Sequence, residues 1–160
     1  MSGFRAPNER VSPRARLMWT VGAVVEGVLL FALALAADGL WHWVDWPWWA
    51  LALIGLALAA YAVVMPTWRY AVHRWEVTDS AVYTQTGWWA IEQRIAPMSR
   101  IQTVDYEEGA LSRLFGLAKV TITTASSAGA LEISGLDRAG ARELAATLTT
   151  RADAVPGDAT

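Results

Sequence analysis

The sequence lacks several features on which catalytic and secreted proteins depend. It contains no cysteine, which excludes disulfide bonds and thiolate zinc sites and fits a soluble part in the reducing cytoplasm. Histidine occurs only twice among 160 residues, and the region after the apolar runs shows neither paired carboxylates nor a nucleophile beside a base. We therefore expect no enzymatic activity and no cofactor.

Lysine and arginine are absent from residues 17–68, and this stretch holds two apolar runs. Residues 17–37 would form a helix of 21 residues, and at 1.5 Å per residue such a helix crosses a hydrocarbon core of roughly 30 Å. Residues 48–66 are long enough to cross it as well. We predict two transmembrane helices, 17–37 and 48–66, joined by a short loop at 38–47.

A cleaved signal peptide is the alternative interpretation of the first run. Ala34, Leu35 and Ala36 resemble a small-residue cleavage site after an arginine-bearing start. However, the apolar stretch is longer than the roughly 7 to 15 residues of such signals. It also leads directly into an aromatic cluster and a second span, so we favour the hairpin.

Charge placement predicts the orientation of the hairpin. Residues 1–16 form an arm with four arginines, and further arginines follow the second run, whereas the loop at 38–47 carries two aspartates and no basic residue. Because lysine and arginine near membrane ends stay in the cytoplasm, both termini are expected to be cytoplasmic and the loop external. Residues 1–13 show no apolar period and are expected to be disordered.

Tryptophan is concentrated where the two runs would meet the membrane surfaces. An indole ring places an apolar body in lipid and its N–H among headgroups, so these residues are expected to anchor the hairpin. They are Trp19 and Trp68 on the inner side and Trp41, Trp43, Trp46, Trp48 and Trp49 on the outer side. A metal site formed by His42, Asp38 and Asp45 is the alternative for this loop, but one histidine with two acids is weak ligation.

Glu26 lies near the middle of the first run, where an aspartate costs about 2.5 to 3.5 kcal/mol and a glutamate should be comparable. It is expected to face protein, and either to be protonated or to pair with Tyr61 or another subunit. Two interpretations of Glu26 remain: a carboxyl that senses protons or a partner, and a glutamate that is merely tolerated at a helix contact. We favour the second, because no further acid or histidine accompanies Glu26 in the spans. Small residues spaced four apart also favour a close helix crossing: Ala23 with Gly27, and Gly55 with Ala59.

After residue 68 the pattern becomes strand-like, with aromatic and β-branched residues broken by turn-forming ones. Strands are predicted at 70–78, 81–86, 88–95, 101–106, 118–125 and 130–134, with a helical turn at 110–115. Asp137 is expected to cap a helix that runs to about residue 151. Its apolar stripe contains Leu136, Ala141, Leu144, Ala145 and Leu148.

These elements define an α+β membrane protein. A two-helix transmembrane hairpin is followed, at residues 69–151, by a bent sheet or split β-barrel with a C-terminal α-helix over one open end. Residues 152–160 are expected to form a disordered tail.

Two strings in the strand-rich region carry a resemblance to a known family. Residues 94–104 read R-I-A-P-M-S-R-I-Q-T-V and residues 114–118 read L-F-G-L-A, after E-V-T-D at 76–79 and a glycine at 87. Together they resemble the bacterial pleckstrin-homology-like domain of the second class, as in YdbS/YdbT-type membrane proteins, and the resemblance covers nearly the whole chain. It implies a PH-like domain on the cytoplasmic side of the bacterial inner membrane and no known enzymatic activity. Some members are linked to resistance against membrane-active peptides, within multi-component membrane systems.

The resemblance does not extend to phosphoinositide binding. Eukaryotic PH domains that bind these lipids carry several basic residues in the loop between their first two strands, but the loop here is Thr78-Asp79-Ser80-Ala81. Basic and acidic residues are nearly balanced over residues 70–151, so no basic field would recruit nucleic acid. The expected partners are the lipid bilayer and either another membrane protein or a second copy of the chain.

Five residues are candidates for an interaction surface: Arg94, Arg100, Arg113, Trp88 and Trp89. Adjacent tryptophans on a strand point to opposite sides, which would leave one of them free for lipid or a partner. Arg94 and Arg100 either form a protein- or headgroup-binding edge or pair with Asp105, Glu107 and Glu108, and we favour pairing. His73 is expected at the surface or at headgroup level.

Two functions compete on this basis. In the first, the hairpin tethers an interaction module that recruits another membrane protein through a free strand edge or a groove. In the second, the domain or the hairpin handles membrane lipid or peptide stress directly. Loss of a co-purifying partner on Arg94→Glu or Arg100→Glu would favour the first function, and specific lipid retained despite these changes would favour the second.

The predicted orientation can be tested with single cysteines, since the chain has none of its own. A cysteine at Thr78 or Lys119 should react with a membrane-impermeant maleimide only after the membrane is opened, because the positive-inside rule keeps this region in the cytoplasm. A cysteine at His42, in the loop, is the control and should react in intact cells. Labelling of Lys119→Cys in intact cells would contradict the orientation.

Overall fold

The computed structural model of the chain describes residues 6–39, 46–88, 90–125 and 129–154. The chain divides into two units, which we call the hairpin unit (Arg16–Trp68) and the sheet unit (Met1–Ala15 with Arg69–Thr160). The predicted α+β fold is confirmed: two apolar helices are followed by antiparallel strands and a C-terminal helix.

Two long apolar helices run through the hairpin unit. They are α1, Pro13–Gly39, and α2, Trp48–Val72, and both are long and apolar enough to cross a membrane. The predicted close crossing at small residues is present. A Cβ added to Gly27 would lie 3.7 Å from the Leu58 Cβ, and one added to Gly55 would lie 3.4 Å from the Phe31 ring.

The helix α1 begins at Pro13, four residues before the apolar run from which a helix at 17–37 was predicted. Pro13 is the first helical residue, a position that suits its fixed φ and missing N–H. Ser12 precedes it, and its Oγ accepts a hydrogen bond of 3.4 Å from the Arg14 N–H. The first turn of α1, up to Ala15, belongs to the sheet unit.

The end of α2 corrects one predicted strand boundary. The helix continues past Pro66 to Val72, and the His73 N–H donates to the Arg69 carbonyl at 2.8 Å. The strand predicted from residue 70 is therefore wrong over its first residues. An existing helix extends at the cost of ordering one residue for each new hydrogen bond, which outweighs the β-propensity of a short aromatic stretch.

The sheet unit contains two antiparallel sheets and two further helices. The first sheet has the order β1-β2-β3-β4, formed by Glu9–Arg10, Arg74–Val77, Ala81–Gly87 and Ile91–Pro97. The second has the order β5-β6-β7, formed by Ile101–Glu107, Leu117–Thr124 and Leu131–Asp137. A 3-10 turn at Met98–Arg100 joins the sheets, the short helix α3 at Ala110–Leu114 precedes β6, and α4 spans Arg138–Ala154.

The turn between β3 and β4 differs from the predicted one. The strand expected at 88–95 begins at Ile91, so Trp88 lies in the turn and not on a strand. Gly87 imposes the turn: its φ is +143°, and a Cβ there would lie 1.9 Å from the Ala90 carbonyl oxygen. The predicted placement of both tryptophans on a strand is therefore wrong for Trp88, and Trp89 lies outside the described residues.

The core of the sheet unit is formed by alternate residues of the strands and by one stripe of α4. Its fully buried strand residues include Val82, Val120, Ile122 and Ile133. The predicted stripe is confirmed for Ala141, Leu144 and Leu148, which are buried, and for Ala145, which packs against the core. Leu136, predicted as part of the stripe, lies on β7 instead. The stripe holds α4 on the inner faces of the sheets.

The basic arm is ordered over its second half, which corrects the predicted disorder of residues 1–13. Glu9 and Arg10 form β1 and pair antiparallel with Trp75 and Arg74 of β2. A two-residue strand shows no period, and the chain partners lie far apart in sequence, so local pattern could not reveal this pairing.

Burial and hydrogen bonds hold the arm beyond the strand. Val11 and Ala15 are 2% and 0% exposed. The Ser12 N–H donates to the Gly135 carbonyl at 2.9 Å, and the Ser12 hydroxyl donates to the Asp137 carboxylate at 3.1 Å. The sheet unit is therefore discontinuous: chain from both sides of the hairpin builds one core.

Removing the buried arm contact should destabilise the sheet unit. Val11→Ala deletes two buried methyl groups, and we expect a loss of about 1 to 3 kcal/mol in the free energy of unfolding. Arg10→Ala, one residue earlier at an exposed position, is the matched control and should change it by less than about 0.5 kcal/mol. Unfolding midpoints in detergent measure both, and equal effects would contradict the packing of the arm.

Candidate functional site

The strand β4 forms an edge of the first sheet, since in the described part of the chain it pairs with β3 alone. The pairing has no bulge, from Ala81 opposite Pro97 to Gly87 opposite Ile91. Ile91 and Ile95 lie on one face of β4 and are 60% and 44% exposed. Natural sheets usually protect such edges with lysine, bulges or coverage. This edge carries Glu92 and Arg94, but it pairs without a bulge and exposes two isoleucines, so it is a candidate binding surface.

A chain of amides links β4 to the last turn of α2. The Gln93 amide donates to the Gln85 side-chain carbonyl at 2.9 Å, and the Gln85 amide donates to the Val72 carbonyl at 3.1 Å. Gln85 is 7% exposed, so its hydrogen bond to the Val72 carbonyl is buried. It satisfies a carbonyl at the helix C-terminus that has no partner within the helix. The edge strand thus lies beside the segment that leaves α2.

Arg94 and Arg100 both lie near the connection between β6 and β7. The Arg94 Nε contacts Glu92 Oε1 at 2.7 Å, and an Arg94 Nη1 donates to the Ala130 carbonyl at 3.2 Å. The Arg100 carbonyl accepts a hydrogen bond of 3.0 Å from the Ala125 N–H. The half-exposed Arg94–Glu92 pair is a surface ion pair, which contributes little stability by itself.

The acids expected to pair with these arginines have other partners. Glu107 lies 2.9 Å from Lys119. Glu108 lies 3.1 Å from Arg138 and 3.3 Å from Arg142. The favoured interpretation from sequence, in which Arg94 and Arg100 pair with these acids, is therefore wrong. The pairing arginines come from α4, which local sequence distance does not reveal.

A polar cluster centred on Glu108 fastens α4 to the second sheet. The Tyr106 hydroxyl donates to Glu108, and the guanidinium of Arg142 lies 5.5 Å from the centre of the Tyr106 ring. The tyrosine hydrogen bond, followed by the nearby arginines, lowers the pKa of Glu108. The carboxylate therefore stays ionised at neutral pH. We assign this cluster a structural role.

Arg113 lies at the opposite end of the second sheet from Arg100. In the register of β5 and β6, Ile101 faces Thr124 at one end and Glu107 faces Lys119 at the other. Six residues of strand separate these ends, roughly 20 Å at about 3.3 Å per residue. The structure thus brings Arg94 and Arg100 to one region and leaves Arg113 in another.

Arg113 belongs to α3, which carries two exposed leucines. Leu114 is 82% exposed and Leu111 is 38% exposed. The turn after α3 closes at Gly116, whose φ of +67° favours glycine. A Cβ on Gly116 would lie 3.7 Å from an Arg14 guanidinium nitrogen, so α3 sits beside the first turn of α1.

The hairpin unit places the predicted membrane residues as follows. Glu26 is exposed on α1, and among the described residues no hydrogen bond or ion pair reaches it, including from Tyr61, which is 44% exposed. Trp19 is half-buried, and the exposed indoles are Trp46, Trp48, Trp49 and Trp68. Their anchoring role, and the function of Glu26, stay predictions.

Part of the loop predicted to be external lies outside the described residues, including Trp41, Trp43, His42 and Asp45. The alternative metal site there is therefore not described. Asp38 accepts a hydrogen bond of 2.9 Å from the Trp46 N–H, which closes the described ends of the loop. Elsewhere in the described ranges, no group of three or more His, Asp or Glu side chains is arranged to hold a metal ion.

Two comparisons with known proteins agree with this architecture. A family profile described as bacterial PH domain matches residues 20–152. The chain is 29% identical over 139 residues to the UPF0699 transmembrane protein YdbS of Bacillus subtilis (strain 168), with 82% of this chain and 87% of that protein covered. No solved structure matches the chain. The matched region includes all of α2 and α1 from residue 20 onward, and the similar protein is a transmembrane protein, so a membrane location is supported.

His73 is buried, which corrects the expected surface position. It is 6% exposed, and burial, followed by the charge of Arg69, lowers its pKa from 6.5 to about 4. No local pattern predicts this burial, because it depends on α2 continuing to Val72, directly before His73. His73 is neutral at pH 7 and occupies the join between α2 and β2.

Because His73 is buried in its neutral form, the free energy of unfolding should decrease as the pH is lowered. The folded state resists protonation between pH 6.5 and about 4, whereas the unfolded state takes up the proton below 6.5. The contribution of neutral His73 to the free energy of unfolding is fully present above pH 6.5 and is lost as the pH falls toward 4. At 1.36 kcal/mol per pKa unit, the loss reaches up to about 3 kcal/mol. His73→Gln should flatten unfolding midpoints over this range and His42→Gln should not. An unchanged slope in His73→Gln would contradict the assignment.

Proposed function

Because the chain belongs to the bacterial PH domain family, we propose that it acts without catalysis, as a membrane-anchored module that recruits or stabilises another membrane protein. In this proposal the chain lies in the bacterial inner membrane with both termini and the sheet unit in the cytoplasm. The family resemblance supports placing it in a multi-component system for resistance to membrane-active peptides.

The observation that carries the proposal is the exposed edge of β4. Alternate residues of the seven present their backbone N–H and C=O groups on the side away from β3, and Ile91 and Ile95 are exposed on one face. A partner segment in extended form can add to such an edge, gaining main-chain hydrogen bonds for affinity and side-chain contacts for specificity. The edge has no lysine and no bulge to prevent this.

The surroundings of β4 favour a partner that is itself in the membrane. Through Gln93 and Gln85, the strand is linked to the Val72 carbonyl in the last turn of α2. A segment that adds to β4 therefore lies next to the point where this chain emerges from its second apolar helix. A membrane protein presents its juxtamembrane segment at that level without further rearrangement.

Arg94 and Arg100 supply the charged part of the same surface. Arg94 lies within β4 and contacts Glu92, and Arg100 lies three residues after the strand ends at Pro97. Arginine in an interface rim pairs readily with carboxylates on a partner, which adds orientation more than affinity. An acidic residue in the partner segment fits this arrangement.

Charge on the edge should abolish recruitment. We expect Ile91→Lys with Ile95→Lys to weaken capture of the membrane partner by the full chain in mild detergent at least about tenfold, which corresponds to about 1.4 kcal/mol. Arg100→Glu should weaken it in the same direction. Gln102→Lys, at an exposed position of β5, is the matched control and should capture as well as the unmodified chain.

The outcome distinguishes the two functions. Quantitative mass spectrometry should find one membrane protein lost from the Ile91→Lys, Ile95→Lys double variant and kept by the control. If no membrane protein depends on the edge, and the purified chain instead retains a specific lipid regardless of these changes, the recruitment proposal is wrong and direct lipid handling replaces it.

A further inference from the structure

We propose that α3 and the turn after it dock on the lipid headgroups of the membrane that the chain itself spans. Leu111 and Leu114 insert among the lipids, and Arg113 lies beside anionic headgroups. This surface is separate from the β4 edge, and the proposal does not depend on the recruitment function.

The exposure of the leucines is the first observation. In the string L-F-G-L-A, Leu117 and Ala118 are 0% and 1% exposed and Phe115 is half-buried, whereas Leu114 is 82% exposed. Leu111, one turn earlier on α3, is 38% exposed. Large apolar side chains on a short surface helix lose favourable burial unless something covers them.

The second observation is that α3 lies close to the start of the first apolar run, which identifies lipid as the material that covers the leucines. The Gly116 turn lies against the side chain of Arg14, and the Arg138 N–H donates to the Gly116 carbonyl at 3.1 Å. Arg14 stands three residues before the apolar run that begins at residue 17, about 4.5 Å along a continuous helix. The headgroup zone is roughly 5 to 7 Å deep on each side of the hydrocarbon core, so Arg14 lies within it.

Leu114 lies within reach of the same zone. It is two residues from Gly116, and two Cα steps of 3.8 Å span at most about 7 Å. A short helix at that level, with leucines on its exposed side and arginine beside them, has the composition of an interfacial anchor. No segment of the described chain covers these leucines, and lipid is the phase adjacent to them.

Charge is the third observation. Arg113 and Arg14 are exposed on this surface, and Arg14 has only a 3.9 Å approach to Asp137. The nearby acids each lie within ion-pair distance of a basic residue: Asp137 of Arg14, Glu107 of Lys119, and Glu108 of Arg138 and Arg142. Among the described residues this pairing leaves Arg113 as an exposed positive charge on the surface, which complements an anionic leaflet.

A fluorescent label tests the docking in the full chain, which has no cysteine of its own. Leu114→Cys, labelled with an environment-sensitive dye, is reconstituted into vesicles of phosphatidylcholine with or without phosphatidylglycerol. We expect a blue shift and quenching by lipids brominated near the headgroup, both stronger with phosphatidylglycerol. Gln102→Cys, exposed at the far end of β5, is the matched control and should show neither.

A charge reversal checks the role of the arginine. Arg113→Glu in the Leu114→Cys background should lose the dependence on phosphatidylglycerol, and high salt should have the same effect. Both positions are exposed, so an unchanged unfolding midpoint confirms that the fold is kept. Equal, water-like emission at positions 114 and 102 in both vesicle types would overturn the proposal. The proposal would also be overturned if the dye at position 114 were shielded from water in cell membranes but not in these vesicles, because a protein rather than lipid would then cover Leu114.

Discussion

The pairing of β1 with β2 is the constraint on which the rest of the structure depends. Arg10 faces Arg74 across this ladder, so the chain enters the hairpin and returns from it at neighbouring positions of one sheet. Directly opposed residues of antiparallel strands are about 4.5 to 5.5 Å apart at their Cα atoms. The hairpin is therefore an insertion into the first connection of the four-stranded sheet, and both of its ends are held by the core formed by Val11, Val82 and their neighbours.

This arrangement changes how the domain compares with lipid-binding relatives of its fold. Their basic loop lies between the first two strands, and the sequence points to Thr78–Ala81 as its counterpart. With the arm counted as the first strand, the connection that follows is the hairpin itself. The position used elsewhere to reach a lipid headgroup is taken here by two apolar helices that are long enough to cross a membrane. A phosphate-binding loop is then unnecessary for membrane attachment.

Long periodic elements could be predicted from the sequence, and contacts between distant segments could not. The apolar runs, the stripe of Ala141, Leu144 and Leu148 and the turn at Gly116 follow from composition and period, which are local properties. The arm strand has two residues and no period, and it exists because β2 offers an open ladder. The same holds for the candidate site: Arg94 and Arg100 could be selected by sequence, but their separation from Arg113 depends on how β5 and β6 pair. The link from Gln93 to Val72 left no local signal.

The split sheet has a consequence for biosynthesis. Ribosomes add roughly 5 to 20 residues per second, so β1 waits on the order of several seconds before β2 has been synthesised. During that time the hairpin must be integrated into the bilayer, because the ladder can close only when residues 10 and 74 are on the same side. A nascent chain in which only one of the two apolar helices crosses would separate the two strands by the full thickness of the membrane. Sheet closure thus acts as a checkpoint that requires both helices to be inserted.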